Sequence, residues 1–392
     1  MKMQTFFEET LQTLKETGLY RHLRTLESSP TPHAILDGKK VLLFSSNNTL
    51  GLSNHPKVIE AAVQATRDYG TGGTASRLIS GNLKLYNILE EKIAHLKGAE
   101  AAVVFSSGYA ANLGTIQALV KRGDLLLIDK LNHASIIDGC RLSGAHLRTY
   151  RHKNMELLKS HLEKSDSTRR TLIITDGIFS MDGDLAPLPE IVALAKKYHA
   201  MVMIDDAHAT GVLGERGEGT VHHFKLDDEE VVQMGTLSKA IGSLGGFVVG
   251  SKELIEFLVN EARSLIYSTA LPPSVLAASI AALTVLEEEL EILQNFWKKI
   301  NFFKENLQRM GYDLMGSQTH ILPIRIGGHE EATQFARAIF EEGLFAPAIR
   351  PPTVPKGTSR IRLTLMATHT QEDLEEALDI LKRVGRKFGV IQ

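Results

Sequence analysis

Apolar residues along this chain alternate between two spacings. From about 44 to 285, short unbroken apolar runs recur at 101–105, 125–129, 171–175, 201–205, 231–234 and 246–249, separated by stretches in which apolar positions return every three or four residues. Continuous runs of this length mark strands buried on both faces, and the intervening period marks helices. The alternation predicts an α/β fold in which a mostly parallel sheet is flanked by helices. Val41-Leu42-Leu43-Phe44 reads as one more short strand. Upstream, Phe6, Phe7, Leu11, Leu14 and Leu19 predict a helix from residue 1 to about 28, followed by a loop with Pro30 and Pro32. An acidic, heptad-like helix over about 274–310 leads into a smaller α/β unit, with strands near 320–326 and 360–365 and a final helix at 372–388. The expected divisions are an N-terminal arm at 1–44, a large domain at 45–285 and a small C-terminal domain at 286–392.

Chemistry concentrates where the apolar runs end. Ala200-Met201-Val202-Met203-Ile204 closes on Asp205, with Asp206-Ala207-His208 beyond it, and the next βα unit brings Gly235-Thr236-Leu237-Ser238-Lys239-Ala240-Ile241-Gly242. Open α/β sheets bind ligands past the carboxyl ends of their strands. A lysine among small hydroxyl and glycine residues, paired with an acid at a strand end, is what pyridoxal phosphate (PLP) chemistry needs. The amine condenses with the cofactor aldehyde, and the acid keeps the pyridine nitrogen protonated so that the ring can accept electrons. Alone, Lys239 would read as a solvated surface lysine, and Asp205 with His208 as a metal site or a strand-end pair. Their conjunction favours the cofactor.

Other segments gain meaning beside that pair. Ser106-Ser107-Gly108-Tyr109-Ala110-Ala111-Asn112 follows a strand and opens a helix, so its free N–H groups and the Ser107 hydroxyl make a phosphate seat; a plain serine N-cap is the alternative. His133, after another strand, is placed to stack on an aromatic cofactor, or is an ordinary structural histidine. Arg360-Ile361-Arg362 is expected to put two arginines on opposite faces of a strand, one of them able to clamp a carboxylate. Gly70-Thr71-Gly72-Gly73-Thr74-Ala75 fits a loose dinucleotide pattern but follows a helical segment rather than a strand, and reads as a loop. His329-Glu330-Glu331 lacks the second histidine of a zinc-protease helix and reads as a loop or helix start.

Composition narrows the classes. With 392 residues and 43% hydrophobic content the chain can bury a large core. A net charge of −2 without a basic run argues against nucleic acid or an anionic membrane as partner. The single cysteine, Cys140, excludes an intrachain disulfide and fits a reducing, cytoplasmic compartment. The acidic, amphipathic N-terminus is not a signal peptide, and the apolar stretch around 271–286 is broken by Pro272 and Pro273 and reads as a core helix, not a membrane span.

Taken together, these residues resemble the α-oxoamine synthase family of fold-type I PLP enzymes, which join an amino acid to an acyl thioester with loss of carbon dioxide. The resemblance runs from about 44 to 370. It is carried by Ser46-Asn47 with Leu50-Gly51-Leu52, Ser76-Arg77-Leu78-Ile79-Ser80-Gly81, Asn132-His133-Ala134-Ser135-Ile136, Phe179-Ser180-Met181-Asp182-Gly183-Asp184, and the Asp205 and Lys239 segments. It implies that Lys239 carries the cofactor as a Schiff base, Asp205 faces the pyridine nitrogen, His208 approaches the ring hydroxyl and His133 stacks on the ring. Ser107, Gly108, Tyr109, Thr236 and Ser238 would hold the phosphate end, Ser180 would line the ring, and Thr269 would come from the second subunit of a homodimer with shared active sites. Asn47 and Arg362 would receive the amino-acid carboxylate, with Arg21 and Thr353 toward the acyl end. Asp206, Asn48-Thr49 and Tyr86 depart from the family's usual residues.

Within the family, Gly108-Tyr109-Ala110-Ala111-Asn112, Ser268-Thr269-Ala270-Leu271-Pro272-Pro273 and Ile349-Arg350-Pro351-Pro352-Thr353-Val354-Pro355 resemble the branch that condenses L-alanine with a pimeloyl thioester in biotin synthesis. The branch joining glycine to acetyl-CoA shares 132–139 and the ending Phe388-Gly389-Val390-Ile391. An aminotransferase and a non-catalytic PLP-fold sensor remain as alternatives.

Overall fold

The computed structural model describes residues 3–166, 168–226 and 230–392. Its centre is a 7-stranded sheet built from β3 (Ala101–Phe105), β4 (Leu125–Asp129), β5 (His146–Tyr150), β6 (Thr171–Asp176), β7 (Met201–Asp205), β8 (Val231–Thr236) and β9 (Gly246–Gly250), in the order β3-β9-β8-β7-β6-β4-β5. Only β9 runs against its neighbours. The α/β class and the mostly parallel sheet expected from the apolar runs are borne out. The inner strands are buried along nearly their whole length, and helices cover both faces.

Strand β5 escaped the sequence reading because it lies on the sheet edge. Of His146-Leu147-Arg148-Thr149-Tyr150 only Tyr150 is buried, so there is no apolar run to find. The opposite end of the chain differs as well. The first helix spans Met3–Glu16, not 1–28: Gly18 takes a positive φ of 67°, and the Leu19 N–H turns back to the Leu14 carbonyl. After it, β1 (His33–Leu36) and β2 (Lys39–Leu43) form an antiparallel hairpin, and β2 pairs in parallel with β11 (Leu344–Phe345). The long helix expected at 274–310 is two, Pro273–Glu288 and Glu291–Arg309, separated at Glu289-Leu290.

A third sheet joins β10 (Ile321–Gly327), β13 (Ser359–Thr364) and β12 (Ala348–Ile349), and the last helix, Gln371–Lys387, starts in a capping box between Thr370 and Asp373. His329 opens the helix His329–Glu341. The helix Pro56–Tyr69 leads into the 70–75 loop, so no strand precedes its glycines. No helix of the described residues is long and apolar enough to cross a membrane.

Candidate active site

The carboxyl ends of β6, β7 and β8 and the start of the helix Gly108–Leu119 enclose a cavity of about 220 Å³. Ser107 caps that helix by accepting the Ala110 N–H, which leaves the first turn's amides and hydroxyls facing the space. A Cβ at Gly108 would come to 3.3 Å from the Met234 methyl and 3.5 Å from the Thr236 side chain, so this wall of the cavity is closely packed. Thr236 and Ser238 are joined through their hydroxyls at 2.8 Å. Tyr109 at the rim donates to Asp138.

Asp205 ends β7 directly beside Asp176 at the end of β6. Its carboxylate accepts from Asn112 Nδ2 at 2.8 Å and from the Ala207 N–H at 3.0 Å, which fixes its orientation. Asp176 accepts the His133 N–H at 3.1 Å. Burial and the neighbouring Asp205 push the Asp176 carboxyl well above the ordinary range. Lys239 rises from the turn after β8, and burial lowers its pKa, with Asp205 and Asp176 opposing. Burial likewise holds His133 and, more strongly, His208 in the neutral form.

The structure thus gathers Ser107, Gly108, Tyr109, His133 and Ser180 with Asp205, His208, Thr236, Ser238 and Lys239 around one space. Arg362 stands just behind it and donates from Nε to the Ser180 carbonyl at 2.6 Å. Burial pulls its pKa down to about 10, and no carboxylate pairs with it among the described residues. Its neighbour Arg360 does not face away, as expected, but reaches Asp182 Oδ1 at 2.6 Å and the Met181 carbonyl. Residues two apart on a strand share a face, so both arginines grip the same turn.

Other expected residues lie elsewhere. Arg21 and Thr353 line a second cavity of about 1370 Å³ between the N-terminal arm and the segment from Phe340 to Thr353. Asn47 is exposed and lines neither cavity. Thr269 is exposed too, bridged to Ser76, and is absent from the lining formed by its own chain.

Asp176 and Asn112 were missed. Asp176 closes an apolar run just as Asp205 does, so the same signal marks it. That signal also marks Asp129, which instead accepts the Leu131 and Lys153 N–H groups. Asn112 follows Gly108 by one helical turn, which aims both at the same space. The departures also have roles: the Tyr86 phenol accepts the Leu271 N–H at 2.7 Å, and Asp206 forms a fully buried pair with Lys97 at 2.7 Å.

The family model for aminotransferase class I and II matches residues 39–381. A protein named 8-amino-7-oxononanoate synthase from Geobacter sulfurreducens is 50% identical over 97% of this chain and 98% of its own. The chain belongs to this family. Among solved structures, serine palmitoyltransferase from S. paucimobilis with a bound PLP–myriocin aldimine aligns with a TM-score of 0.94 at 31% identity, covering 100% of both chains. An 8-amino-7-oxononanoate synthase from Francisella tularensis gives a TM-score of 0.77 at 28% identity, over 90% of this chain and 99% of that one. These relatives bear out the α-oxoamine synthase resemblance.

The residues present fit PLP. A buried lysine with a depressed pKa, a fixed carboxylate at a strand end, and hydroxyls around a helix start with room for a group against Gly108 match the cofactor's aldehyde, ring nitrogen and phosphate.

Proposed function

We propose that this chain condenses L-alanine with a pimeloyl thioester, releasing carbon dioxide and the free thiol and forming 8-amino-7-oxononanoate, the reaction named for its relatives and belonging to biotin synthesis. The observation that carries the reading is 50% identity over nearly the whole chain to a protein of that name. The fold alone does not choose the amino acid, because serine palmitoyltransferase aligns at a TM-score of 0.94.

PLP, when bound, supplies an electron sink for the substrate's Cα. The chain's residues do the rest. Lys239 would hold the cofactor, and its Nζ, whose pKa burial lowers, would serve as the base that takes the Cα proton. Asp205, fixed by Asn112 and the Ala207 N–H, would keep the ring nitrogen protonated through a charge-assisted bond. His133, His208 and Ser180 would hold the ring, and Ser107, Gly108, Tyr109, Thr236 and Ser238 would hold the phosphate. Arg362, a buried cation without a carboxylate partner among the described residues, would receive the alanine carboxylate together with Asn47.

The larger cavity takes the acyl chain. Arg24 pairs with Asp37 at 3.0 Å and Lys39 donates to the Glu341 carbonyl at 2.6 Å, whereas Arg21 has no ion-pair partner among the described residues and so is available to a terminal carboxylate. Each buried methylene contributes about 0.8 kcal/mol, which favours a long chain without excluding short ones.

The enzyme acts as a cytoplasmic homodimer, with Thr269 completing the partner's phosphate site. Its exposure, together with that of Leu78, Ile79 and Tyr267, supports this arrangement. Mixing Lys239→Ala with an inactive Thr269→Arg protein is expected to restore activity through hybrid dimers; no recovery together with a fully active monomer in sedimentation would exclude shared sites. The reaction itself is tested by crossing alanine, glycine and serine with acetyl-, pimeloyl- and palmitoyl-CoA. A kcat/KM for pimeloyl-CoA with alanine below that for acetyl-CoA with glycine would move the chain to the acetyl branch.

A further inference from the structure

Behind the small cavity lies an ionic cluster that the reaction as described does not use. His152, just past β5, engages both ring nitrogens: Nδ1 lies 3.1 Å from Asp129 Oδ1 and Nε2 lies 2.9 Å from Asp184 Oδ2. Two nitrogens that each face a carboxylate oxygen must both carry protons. Lys153 adds its Nζ to the same Asp184 oxygen at 3.0 Å and its N–H to Asp129 at 2.8 Å. The imidazole stands edge-on to the Phe179 ring, 4.4 Å between centroids.

The two carboxylates belong to different walls of the site. Asp129 ends β4 and starts the turn to His133, accepting the Leu131 N–H at 2.8 Å on its side chain and the Asn132 N–H at 3.2 Å on its carbonyl. Asp184 closes the 179–184 turn, its carbonyl accepting the Phe179 N–H at 3.0 Å. That turn carries Ser180, whose carbonyl takes Arg362 Nε. The wall bearing the expected ring-stacking histidine and the wall that holds the expected carboxylate-binding arginine therefore meet at one side chain.

We propose that His152 is a positioning residue, its charged ring tying the His133 segment to the Ser180 turn and so setting the gap into which cofactor and amino acid must fit. The inference rests on the reading of the small cavity given above. Burial opposes the ring's charge, but Asp129 and Asp184 outweigh it and push the pKa to about 9. The charge is therefore present at neutral pH and is lost as pH rises through about 9. The groups facing the ring are Asp129 from the end of β4, Asp184 from the turn, Lys153 from its own segment and the uncharged Phe179 edge.

The test compares PLP-loaded wild type with His152→Gln and the near-isosteric Asp184→Asn. Loosening the gap is expected to lower kcat/KM for alanine on the order of tenfold to a hundredfold in His152→Gln. Asp184→Asn, which keeps the Asp129 contact, should move in the same direction by less. The KM for the acyl thioester should hold, and the visible circular dichroism of bound PLP should change. Wild-type kcat/KM for alanine should fall above about pH 9, and this limb should be lost in His152→Gln. Lower melting temperatures in both variants with unchanged dichroism, alanine kinetics and alkaline limb would overturn the proposal and leave His152 a structural ion pair. A wild-type protein that binds PLP but consumes no thioester would overturn the proposed reaction instead, and the dichroism comparison would then decide His152 by itself.

Discussion

The small cavity at the strand ends and the large one under the N-terminal arm are walled by different materials. The small one is ringed by titratable groups whose pKa values burial has moved: a lysine and histidines pushed down, and an Asp176 pushed up beside a fixed Asp205. The large one is walled mainly by aliphatic and aromatic side chains such as Leu11, Leu14, Phe340 and Phe345, with cations along it. One side is an arm whose helix Met3–Glu16 buries no residue and leaves Phe6 49% and Phe7 46% exposed. Bond making needs groups held within fractions of an ångström, which buried strand ends and helix caps provide. Choosing an acyl chain needs apolar area and one cation, which a loosely anchored segment can supply.

Replacing Lys239 attacks the small cavity most directly. Lys239→Ala should lose on the order of 10²–10⁴-fold in turnover from proton transfer alone and should no longer form a borohydride-reducible link to PLP. A reducible adduct at another lysine would reject the assignment. The next largest effect concerns the buried charges behind the same cavity. Lys97→Met strands Asp206 without its only cation among the described residues, which should lower stability by roughly 3–5 kcal/mol in urea unfolding. A loss under about 1 kcal/mol would mean that Asp206 is satisfied by Thr220 alone.

Acid should weaken the small-cavity side selectively. Burial holds His320, whose ring lies 6.4 Å from that of His208, at a pKa of about 3. As pH drops below about 6.5 the unfolded chain binds this proton and the folded one does not, so stability falls steadily from there toward pH 3. At pH 5 the loss is about 2 kcal/mol. His320→Gln should therefore lose less stability than wild type between pH 7 and pH 5, and equal losses would refute the burial argument.

The mildest effect is expected in the large cavity. Arg21→Gln should raise KM for pimeloyl-CoA by about tenfold, the worth of one charged hydrogen bond, while leaving heptanoyl-CoA, alanine KM and PLP binding unchanged. Equal weakening for both acyl chains would show that Arg21 does not read the terminal carboxylate.

Sequence alone determined the parts of this protein that depend on local pattern. The inner strands bury both faces and so must be apolar throughout, which made β3, β4, β6, β7, β8 and β9 legible. The serine-capped helix start at Gly108 was legible because a serine cap and a glycine at a helix start are local backbone requirements. The edge strand β5, the strand β1 with its pairing to β2, and the break at Glu289-Leu290 were not, because edge pairing and helix ends answer to neighbours distant in the chain. Only tertiary structure decided which acids face the small cavity. Asp129, Asp176 and Asp205 end apolar strands alike, yet Asp129 is bound to His152 and Lys153 while the other two face the cavity. The same holds for Arg360 and Arg362, which share a face and a turn but differ in whether a carboxylate meets them. A residue's type and spacing set what it can do; burial and the partners brought by the fold set its charge and its target, and those come from parts of the chain that no local window contains.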